Sequence, residues 1–169
     1  EELRSVDLYP YRRLLDNSDR LSVMVAHAAF PNTRLQEVDQ NGKLLPSSLS
    51  SSFVNGLLRN ELGFNGLTIT DDLEMGAIVR NYGIGEACRM ALRAGMDMFA
   101  ICASPDAIRE GYFAVLSAAR SGEIAESRID ESLERIERYR SYLTPPAEFD
   151  SARLNEISKE IAAFKNELT

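Results

Sequence analysis

The stretch Leu67-Thr68-Ile69-Thr70-Asp71-Asp72-Leu73-Glu74-Met75 runs from a β-branched segment through two adjacent carboxylates into a helical pattern. Residues 67–70 predict a short strand, because such side chains fit a pleated, half-buried surface. Asn65-Gly66 supplies the turn before it, and residues 73–79 predict a short helix after it. A strand handed directly to a helix is the repeating unit of α/β folds.

Two similar units flank this one. Upstream, residues 21–30 form a near-continuous apolar run without alternation, which predicts a strand buried on both faces, as parallel sheets require. Residues 32–48 follow as a long loop with a turn at Asp39-Gln40-Asn41-Gly42. Residues 50–62 then predict a helix with Phe53, Val54, Leu57, Leu58 and Leu62 on one face and Gly63 as its stop. Downstream, Tyr82-Gly83-Ile84-Gly85 breaks the short helix, and residues 86–94 form another, closed by Gly95. Residues 98–103 read as a third strand, and Ser104 caps a helix that starts at Pro105 and runs to about Ser121-Gly122. Residues 3–15 are helical in pattern, bent by Pro10. Residues 126–143 and 151–168 predict two terminal helices separated by Pro145-Pro146. The division expected is a barrel segment over 1–146 and a helical tail over 147–169. Three strands are few for a closed (β/α)₈ barrel, which takes about 250 residues and eight strands. The pattern alone leaves two readings: an open α/β domain, or part of a barrel.

The 169 residues carry 26 acidic and 19 basic side chains, a formal net charge of −7. That balance argues against a nucleic-acid partner, since phosphate binding needs a basic face. No apolar run reaches the roughly 18 residues of a membrane span. The chain opens on Glu1-Glu2-Leu3 without an initiator Met or a leader-like stretch, so a fragment or processed product is expected. Cys88 and Cys102 have no metal or redox spacing, and both lie in apolar stretches. Buried free thiols are the expectation, with a disulfide left open.

Chemistry concentrates at Thr70-Asp71-Asp72-Leu73-Glu74-Met75, because ligands of parallel α/β folds meet the carboxyl ends of strands. A competing structural reading is that one Asp only caps the next helix. Strand parity groups Asp71 with Leu67 and Ile69, and Asp72 with Thr68 and Thr70, which does not choose between them. His27, the single histidine, is either a hydrogen-bonded core residue or a pocket-lining one, and it leaves no basis for a His-Cys zinc site. Gly83-Ile84-Gly85 lacks the third glycine and the preceding strand of a dinucleotide loop. Met90, Met96 and Met98 read as core, and residues 131–140 as a solvated charged face. No cofactor or metal is expected.

The motifs Met24-Val-Ala-His-Ala-Ala-Phe-Pro31, Pro46-Ser-Ser-Leu-Ser50, Leu57-Leu-Arg-Asn-Glu-Leu-Gly-Phe-Asn-Gly66, Thr70-Asp-Asp-Leu-Glu-Met-Gly-Ala-Ile78 and Ala94-Gly-Met-Asp97 resemble, in order and spacing, those of bacterial family 3 glycoside hydrolases. The chain looks most like the β-N-acetylhexosaminidase branch. The resemblance implies an α/β fold that is part of a TIM (β/α)₈-like barrel, about its last three βα units plus C-terminal helices. It implies a retaining glycosidase acting on β-linked N-acetylglucosamine of oligosaccharides or peptidoglycan fragments. In that reading Asp71 is the catalytic nucleophile, Asp72 caps or orients, and Met75 and His27 line the sugar pocket. The family's Lys-His-Phe-Pro-Gly-His-Gly-Asp-Thr segment, with its acid/base and sugar contacts, does not occur in these residues. The partners expected are therefore a carbohydrate substrate and an N-terminal half of the same barrel, and the compartment is read as cytoplasmic, with the cell surface as alternative. Two other readings stand beside it: a non-catalytic fragment that folds only with its other half, and an open α/β phosphoacceptor domain with Mg²⁺ at the acidic pair.

Overall fold

The computed structural model describes residues 2–15, 20–146 and 148–167. Strands β1 (Ser22–Val25), β2 (Leu67–Asp72) and β3 (Met98–Ala100) form one parallel sheet in that order. Ser22 registers with Leu67 and Val25 with Thr70, while Ile69 registers with Met98 and Asp72 with Ala100. Helices α1 (Tyr9–Leu15), α2 (Gly76–Val79), α3 (Ile84–Ala94), α4 (Pro105–Arg120), α5 (Glu126–Ser141) and α6 (Ser151–Glu167) accompany them. Short helical segments lie at Leu3–Asp7 and Ser47–Leu49, and a longer helix, Ser52–Glu61, joins β1 to β2 and closes in a wide π-type turn, with the Leu62 N–H donating to the Leu57 carbonyl at 2.9 Å. Adjacent parallel strands joined through helices are successive units of a (β/α) barrel.

The main core lies on the helix side of the sheet, where Val54, Leu73, Ile78, Cys88, Ala91 and Met96 are buried together. Helices α3 and α4 approach closely because Gly111 has no side chain: a Cβ there would meet the Cys88 sulfur at 2.9 Å. Gly95 ends α3 in the left-handed region at φ +109°, with the Met96 N–H returning to the Ala91 carbonyl at 3.0 Å. The Ser104 hydroxyl accepts from the Ala107 N–H at 3.2 Å, which is the cap its position before Pro105 predicts.

On the opposite face, Met24, Ile69 and Met98 share one register row. Met24 is 60% and Met98 38% exposed, so this apolar row is largely uncovered. The end of α5 partly closes its lower edge, leaving a cavity of about 350 Å³ lined by Leu67, Ile69, Met98, Ile136, Tyr139 and Leu143, among others. One edge each of β1 and β3 has no strand beside it among the described residues.

Several boundaries differ from the sequence expectation. The first strand stops at Val25 rather than Phe30, because the Ser47 hydroxyl donates to the Ala26 carbonyl at 2.7 Å and the Ser47 N–H to the Ala28 carbonyl at 2.8 Å. A loop segment thus takes the backbone groups that a further strand would use. Strand β2 extends through both carboxylates to Asp72, and β3 ends at Ala100. Residues 73–75 form a turn, so the helix there is only α2.

The charged face expected over 131–140 is corrected at Arg135, whose side chain is 16% exposed and donates to Asp97 at 3.0 Å. Arg59 (2.7 Å) and Arg128 (3.2 Å) reach the same carboxylate, which has no exposed side-chain surface. The Ser132 hydroxyl and the Thr68 N–H also donate to it, at 2.9 Å and 3.0 Å. Burial pushes the Asp97 carboxyl up, but Arg59, the Thr68 N–H, Arg135 and Ser132 together hold it below the usual carboxylate range. This cluster sits at the amino-terminal end of the sheet, beneath the start of β3.

Every described residue of α6 is exposed, including an apolar stripe of Leu154, Ile157, Ile161 and Phe164. The expected boundary residue 147 and the expected helix end at Leu168 lie outside the described residues.

Candidate active site

The sheet's carboxyl end collects Asp71, Asp72, Glu74 and Cys102. The side chains of three of these have tasks within the chain. The Asp72 carboxylate accepts the Glu74 N–H at 3.0 Å and so shapes the turn after β2. Glu74 reaches across to the next unit and accepts the N–H groups of Ala103 at 2.6 Å and Ser104 at 3.1 Å. That contact fixes the entry to α4, and no local sequence signal announces it. The Cys102 thiol lies against Asp72.

Asp71 is different. Its Oδ1 accepts the Asp72 N–H at 2.8 Å, and no side chain among the described residues forms an ion pair with it. It is half-buried, and by alternation along β2 it belongs to the face of Leu67 and Ile69. The parity that sequence left undecided therefore acquires meaning, since the face of Thr68 and Thr70 is the fully buried helix side. Asp72, the other candidate, ties the turn after β2 and does not cap α2, whose N-cap is Met75 without a side-chain bond.

His27 lies just beyond β1, half-buried, with Nδ1 2.7 Å from the Ser48 hydroxyl and Nε2 3.0 Å from the Asp72 carbonyl. Both ring nitrogens are thus hydrogen-bonded to protein atoms, while the residue is half-buried and belongs to none of the core clusters. Met75 is the last residue of the turn and is 44% exposed. The structure brings His27 and Asp72 into contact and sets Asp71 and Met75 on either side of the same turn. Three cavities of about 490, 500 and 460 Å³ lie elsewhere, and none is lined by Asp71, His27 or Met75. Asp71 stands instead at the carboxyl end of the central strand. Among the described residues no group of three or more His, Cys, Asp and Glu side chains is placed to hold a metal ion, and no helix is long and apolar enough to cross a membrane.

Both cysteines are free, but only Cys88 is buried; Cys102 is exposed because β3 ends two residues before it. Burial, helped by Glu110, pushes the Cys88 thiol up to about 12. Partial desolvation and then the neighbouring Asp72 carboxylate also raise the Cys102 thiol. In native protein a thiol reagent should label Cys102 alone, faster as pH rises, and should reach Cys88 only after denaturation. Equal native labelling of both would contradict the packing of α3 on α4.

An acid held at the carboxyl end of a central parallel strand, with turn- and loop-tying given to its neighbours, is the arrangement of barrel enzymes, whose chemistry gathers on that face. The chain belongs to glycosyl hydrolase family 3: the model of that family's N-terminal domain matches residues 1–139. A β-hexosaminidase of Nitrosomonas eutropha is 30% identical over 167 residues, which cover 95% of this chain and 45% of the relative. The chain thus spans less than half of that relative's length. Among solved structures, a family 3 β-N-acetylglucosaminidase from Paenibacillus sp. str. FPU-7 is similar with a TM-score of 0.75 at 34% identity, covering 89% of this chain and 28% of that one. The β-N-acetylglucosaminidase of Thermotoga maritima is similar with a TM-score of 0.74 at 26% identity, covering 85% and 30% respectively. The three strands are therefore part of a TIM-like barrel and not an open phosphoacceptor domain.

Proposed function

We propose that this chain supplies the nucleophile-bearing part of a retaining glycosidase that releases terminal β-linked N-acetylglucosamine. The observation that carries the reading is Asp71. Of the three acids at the end of β2, it alone keeps its carboxylate clear of neighbouring loops, on the inner side of the sheet. The names of the similar proteins supply the sugar. In this scheme an Asp71 oxygen bonds to the anomeric carbon as the leaving oxygen takes a proton from an acid. Water then attacks the glycosyl ester, giving its proton to the same group, now a base, and Asp71 is released. Met75 at the end of the turn is the residue proposed to line the sugar, with His27 bound to the Asp72 carbonyl at the turn's start.

The acid/base and the cations that would balance Asp71 come, in this proposal, from an N-terminal half of the barrel, whose strands would also pair the open edges of β1 and β3. Peptidoglycan fragments or chitooligosaccharides are the substrates proposed, within cytoplasmic carbohydrate metabolism.

The test combines the chain with a segment carrying the preceding barrel strands and assays an aryl β-N-acetylglucosaminide beside the matching β-glucoside. Turnover of the former, with the β-anomer as first-formed sugar, is expected. Preference for the glucoside, or release of the α-anomer, would overturn the reading. A second reading, that the 169 residues alone are non-catalytic, is favoured by the uncovered Met24 and Met98 row. The chain alone should then self-associate in light scattering without turnover, and a monodisperse, active monomer would contradict it.

A further inference from the structure

We infer that His27 is a positioning residue for the nucleophile-bearing turn, acting through the Asp72 carbonyl and not by touching the sugar; this rests on the reading of Asp71 as nucleophile. A carbonyl oxygen only accepts, so the nitrogen 3.0 Å from it, Nε2, carries the ring proton. In the neutral ring Nδ1 then holds the lone pair and accepts from the Ser48 hydroxyl at 2.7 Å. The carbonyl fixes the tautomer, and the Ser48 hydroxyl, which can donate or accept, rotates to match it.

The histidine is itself anchored. Ser47, beside Ser48, ties down the carbonyls of Ala26 and Ala28, one on each side of His27. The Pro46-Ser47-Ser48 turn therefore holds both the backbone and the ring of residue 27. At the other end, the Asp72 carbonyl accepts two hydrogen bonds, from His27 and from the Met75 N–H at 3.0 Å. Asp72 also gives its own N–H to the Asp71 carboxylate. The path from Ser48 through His27 to Asp72 ends on the reacting group, and it joins β1 to β2 where the sheet's own hydrogen bonding between them has stopped. Positioning of this kind matters because small displacements of a reacting atom cost rate out of proportion to stability.

The experiment uses two substitutions in the assembled barrel. His27→Phe keeps the ring volume but removes the donor to Asp72. His27→Gln keeps an amide donor for Asp72 and an amide oxygen for Ser48. We expect His27→Phe to lower kcat on the order of 100-fold with KM changed little, the scale of a small misplacement, and His27→Gln to restore most of it. Wild-type kcat in His27→Phe would overturn the inference, and so would a rise in KM at constant kcat, which is the mark of a sugar contact.

Two further readouts do not depend on turnover. Because the chain has one histidine, ¹⁵N-histidine labelling of this chain reports one imidazole, expected as the Nε2–H tautomer. An Nδ1–H ring would refute the geometry. Amide exchange at Met75 should quicken in His27→Phe and not in His27→Gln, and equal exchange in both would count against the link. Should wild-type protein leave the aryl N-acetylglucosaminide intact while these two signatures appear, the enzymatic reading fails and the positioning contact stands.

Discussion

Replacing Asp71 by Asn in the assembled barrel should lower kcat on an aryl β-N-acetylglucosaminide by on the order of 10³-fold or more, the scale seen when a hydrolase loses its covalent nucleophile. The substitution is nearly isosteric, and the amide oxygen can still accept the Asp72 N–H, so the turn keeps its shape. What disappears is the anionic oxygen that bonds to the anomeric carbon. KM should move little, since Asp71 acts mainly on the transition state. Azide provides a sharper readout. In Asp71→Ala it can occupy the space the carboxylate vacates and attack the anomeric carbon once, so the product should be an α-glycosyl azide. Normal turnover in Asp71→Asn removes the assignment. A larger loss in Asp72→Asn than in Asp71→Asn would transfer the role to the neighbour.

The second large effect lies at the other end of the sheet and concerns stability. Asp97→Asn leaves three guanidinium groups, 10–17% exposed, facing one another without their carboxylate. Removing one partner of a buried ion pair typically costs about 3–5 kcal/mol, against a total stability of roughly 5–15 kcal/mol for a domain. The urea midpoint should fall accordingly, or folding should fail. Arg135→Met in the Asp97→Asn background should recover part of the loss, because the residual repulsion is shared among contacting groups and the two changes will not add. The pH dependence has a defined sign. The folded-state carboxyl titrates below its unfolded value, so its contribution is complete above the unfolded pKa and is lost as pH falls through the folded one. Asp97→Asn should flatten that acid limb of the stability curve. A loss under about 1 kcal/mol, the range of exposed pairs, would mean the cluster is not buried as described.

Local chemistry made much of this fold readable. Gly95 and Ser104-Pro105 marked helix ends because a left-handed residue and a capping hydroxyl act on their immediate neighbours. Thr70-Asp71-Asp72 marked the candidate site because charge at a strand end needs solvent or a task. What sequence misread depends on partners far along the chain. The apolar run at 21–30 carries no sign that Ser47 will take the carbonyls of Ala26 and Ala28. Cys102 looked buried because its neighbours are apolar, yet β3 ends short of it. Arg135 looked solvated, although Arg128, Ser132 and Arg135 recur at helical spacing beneath a conspicuous Asp97, a stripe that could have revealed the cluster. The task of Glu74 depends on a tertiary partner that lies in another βα unit.

That clasp of Glu74 on Ala103 and Ser104 has an evolutionary corollary. Loops on a barrel's active face are usually free to diversify one at a time, which lets the scaffold acquire new specificities piecemeal. Here two successive loops share a single carboxylate, so mutations accumulating in either are epistatic with the other, and lineages would be channelled toward changing them together or leaving both alone.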